Sequence, residues 1–172
     1  ATALFVSRQP VTLPDYAPTR SPLTPLPQQL AEISFREVLF TKIGSMPPGL
    51  HTTIALRPVS KLTESGRGTA WLSLPVPVIE GCVTTPFMRA ALTADFSNGV
   101  GQLHLGNGVG TINADITLQL VRLPQGEWIG LDATALMQPD GIAVVVTDLY
   151  DQTGLCGHVT QTAMPMAEFK TG

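Results

Sequence analysis

The second half of the chain alternates between apolar and polar residues in the manner of antiparallel strands. The alternation is clearest in Asp115–Leu120, which predicts a strand with one buried face. Ile142–Tyr150 is apolar on both faces and is therefore predicted to be central in its sheet. Turn signals containing Gly separate the later runs. The four predicted strands of this antiparallel meander are Asp115–Leu120, Glu127–Met137, Ile142–Tyr150 and Leu155–Met164.

A helix is predicted ahead of the meander, mainly from its end signals. Thr84 or Thr85 suits the N-cap, and Pro86 suits the first helical position. Asn98-Gly99 is typical of a left-handed C-terminal cap. The residues predicted to form the buried face recur at i, i+3, i+4 and i+7. They are Phe87, Ala90, Ala91 and Ala94.

The first third of the chain contains a proline-rich stretch between two strand-like regions. Residues 9–30 contain six prolines, which fix the backbone and remove donors, so they predict an extended linker. Before the linker, Ala1–Arg8 has a strand-like run. Because a linker joins two units, we expect the chain to be the C-terminal portion of a two-domain protein. After the linker, the predicted strands are Ile33–Val38, Thr52–Arg57 and Gly68–Leu74.

The order of elements predicts an α+β fold in which a curved antiparallel sheet wraps around one long helix. The chain has 172 residues, of which 44% are hydrophobic, enough for the core of one domain. Charged residues make up only 13%, about half the usual share, so we expect either that much of the surface is buried against a partner or that the chain is part of something larger.

Charge and hydropathy exclude several classes of function. The net charge of −3 lacks the basic footprint of a nucleic-acid-binding protein. Mean hydropathy is +0.22, yet no apolar run reaches the roughly 18 residues that span a bilayer. We therefore expect neither a nucleic-acid partner nor a membrane.

The cysteines and histidines predict no metal site and no cofactor. Cys82 and Cys156 have no metal-ligand spacing and are interpreted as buried free thiols of a cytoplasmic protein. His51, His104 and His158 are far apart in the sequence and form no ligand pair.

Three polar side chains form the candidate site. Asp95 lies near the predicted end of the helix, where the helix dipole does not favour an anion. Asn113 lies at the start of the first strand-like run of the meander, and Gln161 lies in the last strand. A carboxylate and two amides around one water form a hydrolytic constellation. In the alternative interpretation, Asp95 is a solvated acid, Asn113 caps a turn and Gln161 hydrogen-bonds across the sheet.

Four motifs resemble the hotdog-fold acyl-CoA thioesterases, specifically the second half of the double-hotdog, type II family. The resemblance extends from Ala1 to about Pro165. The motifs are Ala94–Val100; Ile112–Leu118 followed by Arg122–Trp128; Asp132-Ala133 with Pro139–Gly141; and Asp151–Gly154 leading to Gln161.

The resemblance implies a domain arrangement. Residues 1–8 would be the last strand of an N-terminal hotdog, and residues 9–30 the linker. Residues 31–165 would be the C-terminal hotdog domain, and residues 166–172 a tail.

The resemblance also implies a hydrolytic site formed by Asp95, Asn113 and Gln161. Some family members have Thr at the position of Asn113; Asn keeps a donor and an acceptor and can still orient a water. Asp115 is interpreted either as an outward polar residue or as a residue that supports the site or substrate binding.

The implied activity is hydrolysis of acyl-CoA to a carboxylic acid and CoA. Asp95 would act on the water as a general base, and the two amides would position it. Backbone N–H groups at the start of a hotdog helix would bind the oxyanion. We expect a partner, either a second hotdog half or another copy of the chain, and little activity without it.

Two other functions remain for comparison. In the first, the chain is a non-catalytic hotdog half that binds acyl groups or completes a partner's site. In the second it is a hotdog hydratase, which requires an Asp and a His five residues apart; the sequence has no such pair beside the helix.

Overall fold

The computed structural model describes residues 1–34, 49–62, 65–103, 105 and 110–166. Within them, one antiparallel sheet of eight strands is paired in the order β1-β2-β3-β6-β7-β8-β4, and β5 also pairs with β8. The strands are β1 Ile33–Ser34, β2 Ala55–Pro58, β3 Arg67–Ser73, β4 Thr111–Asn113, β5 Thr117–Leu120, β6 Trp128–Met137, β7 Ala143–Asp151 and β8 Gly154–Pro165. The helices are a 3₁₀ turn Pro27–Gln29, α1 Leu50–Thr53, α2 Pro86–Asp95 and α3 Ser97–Val100. The sheet and its helices confirm the predicted α+β class.

The N-terminal cap of α2 is confirmed, whereas its predicted C-terminal cap is wrong. The Thr85 hydroxyl accepts the N–H of Met88 at 3.2 Å, and Pro86 begins the helix. The helix ends at Asp95, and the chain enters α3 after a break at Phe96. Asn98-Gly99 therefore lies inside a second helical turn rather than in a left-handed cap.

The buried face of α2 is more polar than the sequence predicts. Ala90 and Ala94 are fully buried as expected, and Thr93 is buried beside them. Ala91 and Phe87 face solvent, and Phe87 is 48% exposed. The small side chains of the true face let the helix lie close to the sheet.

The core lies between the helices and the inner face of the sheet. Gly68 in β3 shows how closely they approach, because a Cβ atom at this position would lie 2.0 Å from the carbonyl oxygen of Val100. A side chain at residue 68 would therefore push α3 away from β3. The fully buried apolar residues of the core include Leu56, Ala70, Leu72, Ile129, Leu131, Val145, Leu149 and Val159.

Several strand predictions need correction. Thr52 and Thr53 belong to α1, so β2 begins only at Ala55. Asp115 is not part of the first meander strand, because β5 begins at Thr117. β7 is central as predicted, but Val144 and Val146 are exposed, so only one face is buried there.

Other sequence predictions fall partly outside the described residues. Of the predicted strand Ile33–Val38, only β1 is described, and residues 167–172 of the predicted tail also lie outside. Ala1–Arg8 is exposed and forms no strand in this chain. That it completes a preceding hotdog remains a prediction. Cys82 is exposed, so the expectation that both thiols are buried is wrong for this residue.

The second half of the proline-rich segment packs against the sheet. The indole N–H of Trp71, which is fully buried, donates to the carbonyl of Pro25 at 2.9 Å. The guanidinium of Arg57 donates to the carbonyl of Pro27 at 2.7 Å. The segment is thus attached to β2 and β3 before the first strand begins.

A buried carboxylate ties the loop after β5 to the β7–β8 hairpin. Asp151 has no exposed side-chain surface and accepts from Arg122 Nη2 at 2.7 Å. It also accepts from the backbone N–H groups of Gln125 and Thr153, both at 2.8 Å. Burial by itself raises the pKa of Asp151, but the hydrogen bonds from Arg122 and Thr153 outweigh it and hold the pKa well below its ordinary value.

The depressed pKa makes the contribution of Asp151 to stability dependent on pH. The contribution is fully present above the unfolded-state pKa of about 3.9 and is lost as the pH falls through the lower pKa of the folded state. We expect Asp151→Asn to lower the free energy of unfolding at pH 7 by about 2–3 kcal/mol. This is less than the about 3–5 kcal/mol of a fully buried pair, because Arg122 is 31% exposed. Urea unfolding at pH 7, 5 and 3 measures the effect.

The difference between the wild type and Asp151→Asn should shrink at pH 3. Asp15→Asn, which changes an exposed acid in the N-terminal segment, is the matched control and should have no effect. Equal urea midpoints for wild type and Asp151→Asn at pH 7 would contradict this account.

Candidate active site

The last residue of α2 and the last residue of β4 form the centre of the candidate site. Asn113 Nδ2 donates to Asp95 Oδ1 at 3.2 Å. Asp95 is exposed and Asn113 is half-buried. The second carboxylate oxygen has no hydrogen-bond donor among the described residues. The structure therefore brings these two predicted residues into direct contact.

Gln161 lies beneath this pair but contacts the helix backbone instead of the carboxylate. Its side chain is only 1% exposed, and its Nε2 donates to the carbonyl of Ala94 at 3.2 Å. That carbonyl belongs to the last turn of α2 and needs a partner from outside the helix. Gln161 therefore fixes the backbone of the residue next to Asp95, and the alternative of a hydrogen bond across the sheet is not observed.

The interface beneath the end of α2 contains buried polar atoms without partners. Among the described residues, Ser97 Oγ, Thr147 Oγ1 and Gln161 Oε1 are buried and make no hydrogen bond. Thr147 lies on β7, two residues after Val145, and Val145 pairs with Gln161 of β8. Unpaired buried polar groups are rare in proteins. The unpaired Oε1 of Gln161 therefore leaves one buried acceptor next to the end of α2.

A second network, not predicted from the sequence, holds the start of β4. Asn98 Nδ2 donates to the carbonyl of Thr111 at 2.9 Å, and the Thr111 hydroxyl donates to Asn98 Oδ1 at 2.9 Å. Gln102 Nε2 donates to the same hydroxyl at 3.2 Å. These bonds attach β4 to α3, two residues before Asn113. The signal in the sequence is the spacing of Asn98, four residues after buried Ala94, although Asn98-Gly99 is equally typical of a helix cap.

Asp115 lies beyond the other end of β4 and contacts the backbone of β8. Its Oδ1 accepts the N–H of Thr162 at 2.6 Å, and its Oδ2 accepts the Thr162 hydroxyl at 3.4 Å. Asp115 therefore neighbours Gln161 but does not touch Asp95. The prediction that Asn113 stands at the start of a strand is corrected too, because Asn113 ends β4.

A shallow groove of about 410 Å³ lies near the β6–β7 turn and is mostly apolar. Its lining includes none of Asp95, Asn113 and Gln161. One lining residue, Pro165, pairs with Thr111 in β4. The groove residues are Leu103, Leu105, Met137, Gln138, Pro139, Gly141 and Pro165.

The candidate site offers one carboxylate, from Asp95, and two amides, from Asn113 and Gln161. No group of three or more His, Cys, Asp or Glu side chains among the described residues could hold a metal ion. An exposed carboxylate held by an amide can accept a proton from a water and orient that water toward an electrophile.

Across the same described ranges, no helix has the length and apolar character needed to cross a bilayer.

Solved structures share this fold at low sequence identity. An acyl-CoA thioesterase II from Mycobacterium marinum is 14% identical, with a TM-score of 0.58; the match covers 95% of this chain and 60% of that one. A conserved protein of unknown function with a hot dog fold from Alicyclobacillus acidocaldarius is 15% identical, with a TM-score of 0.56, over 97% and 59% of the two chains. A thioesterase from Haemophilus influenzae is 16% identical, with a TM-score of 0.50, over 67% and 81%.

These likenesses show that the fold is a hotdog, as predicted. The chain spans about 60% of the length of the Mycobacterium and Alicyclobacillus proteins. A search of curated proteins found no match. The family profile described as the acyl-CoA thioesterase C-terminal domain matches residues 24–164, most of the chain. The chain therefore belongs to the acyl-CoA thioesterase C-terminal domain family.

Proposed function

We propose that the chain hydrolyses acyl-CoA thioesters with a water held by Asp95. The observation that carries the proposal is the hydrogen bond from Asn113 Nδ2 to Asp95 Oδ1, which holds an exposed carboxylate at the end of the helix. Membership in the acyl-CoA thioesterase family supports the reaction class.

The proposed reaction has one addition and one elimination step. Asp95 accepts a proton from the water while the water oxygen attacks the thioester carbonyl carbon. The tetrahedral intermediate then collapses, the carbon–sulfur bond breaks, and the proton returns to the leaving thiolate. The products are a carboxylic acid and CoA, so no further reactant is needed.

The two amides have different proposed roles. Asn113 fixes the rotamer of Asp95 by donating to one oxygen, so the other oxygen is aimed at the water. Gln161 fixes the carbonyl of Ala94, and its free Oε1 offers an acceptor beneath the helix end. The direct role of Gln161 is thus to hold the end of α2 in place. Its effect on the water passes through the position of Asp95.

We further propose that the active form pairs this domain with a second hotdog unit, either another half or another copy of the chain. Large apolar side chains remain exposed on the outer face and turn of the sheet, including Leu136 at 64% and Ile142 at 58%. The low charge content of the chain also fits burial against a partner. The paired unit would supply the backbone N–H donors for the oxyanion from the start of its helix.

A cytoplasmic location is part of the same proposal. Cys82 and Cys156 are both free, as thiols are in a reducing compartment. Burial raises the pKa of the Cys156 thiol to about 12, so Cys156 is an inert core residue rather than a nucleophile.

The first test removes the proposed base. Asp95→Asn keeps the shape of the side chain and can still contact Asn113, but it cannot accept a proton. We expect kcat for acyl-CoA hydrolysis to fall by about 100-fold or more, with KM changed less than about threefold. Release of CoA from short-, medium- and long-chain acyl-CoA substrates, followed with a thiol reagent, measures the rates.

Asp132→Asn is the matched control, because Asp132 is an exposed acid in β6 that bonds to Thr69 and lies outside the site. It should keep the wild-type rate. Hydrolysis by Asp95→Asn at the wild-type rate would overturn the assignment of Asp95. A fully paired wild type that releases no CoA would instead favour a non-catalytic half that binds acyl groups.

The second test concerns pairing. If the active form is paired, the specific activity of the chain should rise with protein concentration in parallel with the paired fraction measured by analytical ultracentrifugation. Adding a separately expressed N-terminal hotdog unit of a family member should have the same effect if the natural partner is a second half. A chain that sediments as a monomer and is fully active at every concentration would rule out the requirement for a partner.

A further inference from the structure

The segment between β4 and β5 contains one residue more than the part of β8 that lies opposite to it. Asn113 pairs with Ala163 of β8, and Thr117 pairs with Thr160. Three residues, 114–116, therefore face only two, Gln161 and Thr162. This is the arrangement of a β-bulge, which bends a strand and redirects side chains and is enriched near active sites.

The extra residue decides which face of the sheet Asn113 occupies. Asn113 is opposite Ala163, and Leu118 is opposite Val159; both β8 residues are buried on the inner face. Asn113 and Leu118 are five positions apart, and an uninterrupted strand places residues an odd number apart on opposite faces. Without the bulge, Asn113 would point away from α2 and could not reach Asp95.

The side chain of Asp115 closes this bulge against β8. Its carboxylate accepts the N–H and the hydroxyl of Thr162, at 2.6 Å and 3.4 Å. The N–H of Ala114 donates to the carbonyl of Thr162 at 2.8 Å. Both backbone polar groups of Thr162 are thus bonded to the bulge. Asp115 supplies the acceptor for the Thr162 N–H where the ordinary ladder is interrupted.

We propose that Asp115 is a positioning residue for the hydrolytic site. By holding the bulge on Thr162, it turns Asn113 toward Asp95 and fixes the backbone next to Gln161. This inference rests on the proposed function, because its effect on the rate passes through Asn113. Asp115 itself touches neither the water nor the substrate.

The role requires an acceptor oxygen at this position and not a negative charge. Asp115→Ala removes the acceptor, and we expect kcat to fall about 10- to 30-fold with KM changed less than twofold. Asp115→Asn keeps one side-chain oxygen for the Thr162 N–H and should restore kcat to within about threefold of the wild type. Asp132→Ala, at the exposed acid of β6, is the matched control and should change neither constant.

A double-mutant cycle separates positioning from general destabilisation. If Asp115 acts through Asn113, Asp115→Ala should have little further effect on kcat in a chain that already carries Asn113→Ala. Hydrogen exchange read by NMR provides a second readout that is independent of activity. The Thr162 amide should lose protection in Asp115→Ala and keep it in Asp115→Asn.

Three results would overturn the inference. They are a wild-type kcat for Asp115→Ala, an Asp115→Asn variant as slow as Asp115→Ala, and effects of Asp115→Ala and Asn113→Ala that simply multiply. Should Asp115→Ala fail to fold, Asp115→Glu replaces it, because the extra methylene displaces the acceptor and the same loss of kcat is expected. Failure of the hydrolase proposal is recognised separately by a wild-type rate for Asp95→Asn, and the exchange experiment still tests the bulge in that case.

Discussion

The hydrogen bond from the buried Gln161 amide to the carbonyl of Ala94 is the constraint on which the candidate site depends. It joins β8 to the last turn of α2, so the next residue, Asp95, ends the helix at a fixed point. The carbonyls in the last turn of a helix lack partners within the helix, and Gln161 supplies a donor to Ala94 in addition to the N–H of Phe96. The inner face of β8 therefore sets the position of the carboxylate.

β4, the strand that contains Asn113, is short and is held in place by side-chain contacts. β4 has three residues, and polar contacts fix it at both ends: Asn98 bonds to Thr111 before Asn113, and Asp115 bonds to Thr162 after it. Side-chain hydrogen bonds to α3 and β8 thus hold β4 in place at the site. At the other end of β8, the ion pair of Arg122 and Asp151 attaches the loop after β5 to the β7–β8 hairpin.

The sequence predicted the elements whose signals are local and missed those that depend on packing. Thr85 and Pro86 identified the start of α2 because capping depends on neighbouring residues. Asn98-Gly99 was misread, because the same residues that cap a helix can also continue it when Asn98 finds a buried partner in Thr111. The bulge at residues 114–116 was likewise hidden, since only the pairing with β8 shows that one residue is extra. The pattern and the family resemblance predict Asp95 and Asn113 as site residues, but only the fold shows that they are in contact.

The most direct test of the account is a crystal structure of the paired protein with a non-hydrolysable acyl-CoA analogue, in which a methylene separates the sulfur from the carbonyl. We expect a water hydrogen-bonded to the free oxygen of Asp95 and about 3–3.5 Å from the analogue's carbonyl carbon. The Asn113–Asp95 hydrogen bond should persist. A carbonyl carbon beyond the reach of any water held by Asp95, or bound at a different end of the sheet, would contradict the account.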